Sequence, residues 1–117
     1  MQAVTWDQIP DEPVRPGVRR RGFGTREVLL VMNECMPGMD VRPHSHDFDQ
    51  IAMIMSGRAV YHAGDVANEV GPGSVLLLPR AVEHYIEPTG DEPVMNLDVF
   101  APARSDYLHL LEWMDRR

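Results

Sequence analysis

The sequence predicts an all-β protein, a single barrel or sandwich of short strands closed by one short helix at its C-terminal end. Three observations carry this. Ten prolines and nine glycines cut the 117 residues into short segments. Most of those segments are rich in Val, Ile, Leu and Met and lack a helical period. The tail departs from that pattern: Tyr107, Leu110, Leu111 and Met114 fall at i, i+3, i+4 and i+7, the spacing of one helix face.

Residues 1–25, which contain Pro10, Pro13 and Pro16, read as an extended N-terminal arm, and residues 26–117 as one domain. Strands are predicted over Glu27–Glu34, Val41–His46, Gln50–Ser56, Arg58–Ala63, Asp65–Val70, Ser74–Leu78, Glu83–Glu87 and Val94–Phe100. Turns are predicted at Pro37-Gly38, Gly57, Gly64 and Pro72-Gly73. Ile51 to Met55 is apolar on both alternating faces, so both sides of that strand should be covered, most economically by a second subunit. Ser105 is suited to cap the tail helix. At about a dozen residues that helix is too short to stand alone and must pack on the barrel or a partner.

Composition narrows the function. Eighteen acidic residues against eleven basic ones leave a charge of −7, which disfavours nucleic acid and anionic membranes as partners. All eleven cations are arginine, so neither lysine Schiff-base chemistry nor a P-loop is available. The one basic run, Arg19 to Arg21, reads as a solvated loop. A single cysteine, Cys35, permits no intramolecular disulfide and fits a reducing compartment. Met1 to Pro10 lacks the pattern of an export leader, and the longest apolar stretches are too short to span a bilayer. A cytoplasmic location is expected.

His44 and His46 stand two apart, so an extended strand would turn both imidazoles to one face. Gln50 follows closely, and His84 comes 38 residues after His46. Three imidazoles and one amide oxygen make a first coordination shell for one divalent transition metal, Zn, Ni, Mn or Fe, with room left for water or substrate.

These residues resemble the cupin superfamily. Gly38-MDVRP-His44-Ser-His46-DFD-Gln50-IAMIMS-Gly57 matches the first cupin motif except that glutamine replaces glutamate, and Gly73-SVLLL-Pro79-Arg80-Ala81-Val82-Glu83-His84 matches the second, with alanine in place of a usual glycine and Pro88 in place of a usual asparagine. The resemblance implies a jelly-roll β-barrel, often a homodimer, with a metal inside. A neutral glutamine leaves the full divalent charge on the metal, which favours Lewis-acid chemistry over oxygenase chemistry.

The segment Leu97-Asp98-Val99-Phe100-Ala101-Pro102-Ala103-Arg104-Ser105-Asp106-Tyr107-Leu108 is similar to one in small cupins that ketonize unsaturated uronates during pectin and alginate degradation, although Ala101-Pro102-Ala103 stands where that family tends to have Ser-Pro-Pro. That resemblance implies His44, His46, Gln50 and His84 as metal ligands, and Asp98, Phe100 and Arg104 as residues of the substrate pocket. Asp98 would move the proton, Arg104 would fork a uronate carboxylate and Phe100 would pack on the sugar. Each also has a structural reading: Asp98 as orienter of a ligand or partner of Arg104, Phe100 as core, and Arg104 as helix-end surface. Arg42 shares the parity of the histidines and could supply a second anion contact. Asp47 and Asp49 read as solvated, Tyr61 and Tyr85 as packing, and His62 and His109 as hydrogen-bonded or exposed imidazoles.

The expected function is therefore a metal-dependent isomerase or lyase-type enzyme acting on a carboxylate-bearing sugar. The alternatives are a cupin that tailors polyketides, as cyclase or dioxygenase, and a non-enzymatic cupin that binds a small molecule.

Overall fold

The computed structural model describes residues 1–116. Its strands are β1 (Glu12–Arg15), β2 (Val18–Gly24), β3 (Leu29–Cys35), β4 (Gln50–Ser56), β5 (Ala59–Ala63), β6 (Val66–Val70), β7 (Val75–Leu78), β8 (His84–Pro88) and β9 (Val94–Phe100). They form two antiparallel sheets, a six-stranded one in the order β1-β2-β3-β9-β4-β7 and a three-stranded one in the order β6-β5-β8.

Period-two alternation builds the interior. From β4, Gln50, Ala52 and Ile54 are buried, and from β9, Val94, Asn96 and Phe100. Ala52, Ile54, Val94, Ala59, Tyr61, Leu78, Ile86, Val18 and Cys35 pack into one core cluster. Ile54, only 1% exposed, contributes about 1.5–3 kcal/mol through that burial. Leu29, Val31, Phe100 and Leu110 form a second cluster beneath the C-terminal helix.

Strands β4 and β9 run over the predicted residues, and most of the others differ by a residue or two at their ends. Two expectations are revised. Val41–His46 is not a strand: Pro43 has no N–H to donate to a ladder, and His44 alone makes an isolated bridge to His84. Residues 12–24, expected within the extended arm, form a hairpin whose second strand pairs along the whole of β3. Arg19 to Arg21 therefore lie on a strand rather than a loop.

The predicted turn at Gly57 joins β4 to β5 with φ +81°, a region that L side chains rarely adopt. A Cβ there would lie 2.5 Å from the Pro93 carbonyl oxygen, so sterics as well as conformation demand glycine.

The tail helix forms over Ser105–Arg116 with 3₁₀ geometry. Tyr107 N–H donates to the Arg104 carbonyl, so Ser105 is the first helical residue and not the cap. Leu110 is buried, Tyr107 and Leu111 pack beside it, and the Trp113 indole donates to Gly22 O at 2.9 Å. Toward its β4–β7 edge the outer face of the six-stranded sheet is apolar and uncovered within one chain, with Met55 52%, Val75 68% and Leu77 61% exposed, whereas Leu97 and Met32 on β9 and β3 are buried.

Candidate metal centre

His44 and His84 exchange two backbone hydrogen bonds, His84 N–H to His44 O at 2.8 Å and His44 N–H to His84 O at 3.1 Å. This pairing, and not a shared strand, brings the imidazoles together. Ring centroids are separated by 4.9 Å for His44 and His46, 4.5 Å for His44 and His84, and 4.9 Å for His46 and His84. One nitrogen from each of the three lies within 4.8 Å of the others.

The nitrogens fit a metal. The Nδ1 atoms of His44 and His84 face backbone carbonyls, Arg42 O at 3.0 Å and Val82 O at 3.1 Å. Such bonds leave Nε2 as the lone-pair nitrogen. His84 Nε2 is buried with no hydrogen-bond partner, and a buried polar atom without a partner is costly unless something binds it. Gln50, 3% exposed, directs Oε1 to His46 Nε2 at 2.9 Å. Its Nε2 donates to Asp98 Oδ1 at 2.8 Å, which turns the amide oxygen toward the histidines. His44, His46, His84 and Gln50 can thus hold one divalent ion.

Asp98 lies behind Gln50. Asn96 Nδ2 donates to its Oδ1 at 2.9 Å and Asn33 Nδ2 to its Oδ2 at 2.9 Å. Burial pushes the carboxyl up to about 6, against the opposing pull of these three amides and of Arg104. The group can therefore exchange a proton near neutral pH.

Burial, reinforced by Arg104, His44 and His84, holds His46 down at about 4 from 6.5. Burial also lowers His84. Both shifts favour the neutral imidazole that metal binding requires. The stability linked to these lowered values is fully present above pH 6.5 and is lost as pH falls through the folded pKa, whereas Asp98, raised from 3.8, contributes stability that is lost as pH rises through about 6. The metal-free protein carrying His46→Gln should therefore lose less melting temperature between pH 6.5 and pH 4 than the parent does, as read by thermal denaturation at the two pH values.

A cavity of about 410 Å³ opens beside the first core cluster, and its lining includes His44, His46, Gln50, Asp98 and Arg104. Phe100 does not line it. The side chain is 3% exposed in the second core cluster and packs edge-on against Phe48, with centroids 5.8 Å apart; its packing against a sugar is accordingly replaced by a core role. Arg104 is at the cavity wall, but Nε and Nη2 already bind the two oxygens of Asp106 at 3.0 and 2.8 Å. Capture of another carboxylate by that same fork would require this pair to open.

Sequence reasoning missed several lining residues. Asn33 and Asn96 stand at inward positions of apolar strands, the one signal that could have singled them out. Arg20 was hidden in the basic run: as a strand residue it points inward, binds Glu12 at 2.7 Å and lies 4.4 Å from the Tyr107 ring centroid. Tyr107, read as helix packing, also carries Arg104 over its ring at 3.8 Å. Phe48, outside the lining, stacks on His46 at 4.9 Å. Arg42 does line the cavity, with Nε on Asp40 Oδ2 at 2.8 Å. His62, stacked on Tyr85, and His109, beside Glu12, stand outside the lining. Asp47 and Asp49 are exposed and serve Arg80.

Residues 32–100 match the family model described as a cupin domain. The protein is a cupin. Among solved structures, this cupin is similar to KdgF from Halomonas sp., with 25% identity over 87% of this chain and 95% of that one and a TM-score of 0.78. An RmlC-like cupin from Shewanella frigidimarina shares the fold at 22% identity, over 89% of this chain and 93% of that one, with a TM-score of 0.79. So does the polyketide cyclase RemF from Streptomyces resistomycificus, at 23% identity, over 90% and 82%, with a TM-score of 0.77. No helix among the described residues is long and apolar enough to cross a membrane.

Proposed function

We propose that this cupin is a metal-dependent enzyme that ketonizes 4,5-unsaturated uronate monosaccharides. The observation that carries the reading is Asp98, a carboxyl raised to about 6 and coupled through Gln50 to the three-histidine cluster within one cavity. In ketonization the anomeric O–H proton passes to the ring oxygen as the ring C–O bond at the anomeric carbon breaks, freeing an aldehyde and leaving an enol. The enol O–H proton then leaves, and a C–H bond forms at the neighbouring carbon. Asp98 accepts the enol proton and delivers one to that carbon, with no net change in its own charge. A divalent ion held by His44, His46, His84 and Gln50 supplies Lewis-acid stabilisation of negative charge on oxygen. Arginines on the cavity wall favour an acid over a neutral sugar, and a polyketide without a carboxylate would leave them unused. Proton NMR tests the reading: with the metal-loaded protein, the vinyl signal of a freshly generated unsaturated uronate should give way to the linear keto form faster than in buffer. Decay at the buffer rate would remove the proposal.

A homodimer is part of the same proposal. On the outer sheet face, Leu77, Ile51, Val99 and Leu30 stand opposite one another in successive strands, as do Val75, Met53, Leu97 and Met32. Leu97 and Met32 are already buried, and pairing of two such faces at the exposed end, around Met55, Val75 and Leu77, would remove that apolar surface from water. Sedimentation should show a dimer that Leu77→Glu converts to monomer; a parent protein that sediments as a monomer at micromolar concentration would contradict this.

A further inference from the structure

The chain carries a charge of −7, yet four of its eleven arginines, Arg15, Arg20, Arg42 and Arg104, line one cavity in which Asp98 is the sole carboxylate among the described residues. Three of these cations are matched by acids at the rim: Arg20 by Glu12, Arg42 by Asp40 and Arg104 by Asp106. Arg15 differs. Among the described residues it has no carboxylate within ion-pair distance, and its Nε donates to a backbone carbonyl, Asp40 O, at 2.7 Å.

The backbone places this guanidinium with care. Asp40 N–H donates to Pro16 O at 2.9 Å and Met36 N–H to Gly17 O at 2.8 Å, clamping the β1–β2 turn onto the loop before the histidines. At Gly17 a Cβ would lie 2.7 Å from Met39 Cα, so the turn seats only because that residue has none. Asp40 consequently anchors Arg15 through its carbonyl and Arg42 through its carboxylate. With Nε committed, the terminal nitrogens of Arg15 remain as a planar donor pair, the shape that accepts a carboxylate end-on.

We propose that Arg15, held by Asp40 and flanked by Arg42, is the carboxylate-binding residue of this cavity and sets its preference for small organic acids. The inference rests on reading the cavity as a small-acid site, but it does not require that the acid be an unsaturated uronate. It assigns the anion contact to the β1–β2 turn, outside both histidine motifs, and leaves the Arg104–Asp106 pair intact.

The test is equilibrium binding by calorimetry on the metal-loaded protein, with galacturonate, malonate and uncharged galactose as probes. Arg15→Gln should weaken acid binding by about tenfold to a hundredfold, the usual scale for one charge-assisted contact, without changing affinity for galactose. Arg15→Lys should recover part of the loss, and Arg80→Gln, on a surface pair away from the cavity, should bind as the parent does. If Arg15 only staples the turn, Arg15→Gln will lower the melting temperature and leave the affinity for acids unchanged, which overturns the inference. Failure of both acids to bind the parent protein overturns it as well. Arg15-dependent binding of malonate but not of galacturonate would sustain the inference and sink the uronate reading.

Discussion

Replacing Asp98 with asparagine is expected to lower kcat by about two to four orders of magnitude, the range associated with loss of a general acid–base group, while the protein keeps its full complement of bound metal. The substitution preserves volume and leaves one oxygen to accept from Gln50 and Asn96. The new amide nitrogen would face Asn33 Nδ2, which now donates to Asp98 Oδ2 at 2.9 Å. Two opposed donors cost about 1–3 kcal/mol unless one amide turns, so some loss of melting temperature should accompany the loss of turnover. Metal titration separates the two roles of the carboxylate. If Asp98 only orients Gln50, excess metal should restore the rate of the variant. If it moves the proton, saturating metal will leave the rate low.

The second large effect concerns His84. His84→Ala should weaken metal binding by more than about a hundredfold, since even changes to residues behind the ligands commonly cost ten- to a hundredfold. The imidazole is 1% exposed, with Nε2 unpartnered, so no neighbouring side chain substitutes for it. The bridge that docks His84 on His44 runs through backbone atoms and survives the substitution, so circular dichroism should report a folded β protein. His62→Ala, outside the cavity lining, is the control and should titrate with metal as the parent does.

The fold was legible where an apolar, proline-free run was uninterrupted. Gln50–Ser56 and Val94–Phe100 are strands over the predicted residues because each carries apolar side chains on both faces and no proline. The segment before His46 was misread because Pro43 interrupts a run that otherwise has strand composition. The N-terminal hairpin was hidden by proline and arginine content, since strands near a sheet edge tolerate both. The tail periodicity found the helix but not its 3₁₀ geometry, because two of the residues three apart pack equally well in either form.

At the site, spacing identified the three histidines that the structure brings together, with Gln50 beside them. It did not identify Asn33, which meets Asp98 only through the pairing of β3 with β9. Phe100 was assigned to the pocket by the resemblance, with a core role as the other reading, and it lies at the end of β9 where the helix covers it. Arg15 carries no signal in the sequence, because its position depends on the contact of one turn with a distant loop.

The most direct test of the account is the rate at which the metal-loaded protein removes the ultraviolet absorbance of a freshly prepared unsaturated uronate monomer, measured beside the spontaneous rate in buffer. Acceleration that disappears with a chelator and returns with added divalent metal is the predicted result. Decay at the spontaneous rate with a filled metal site would contradict the account.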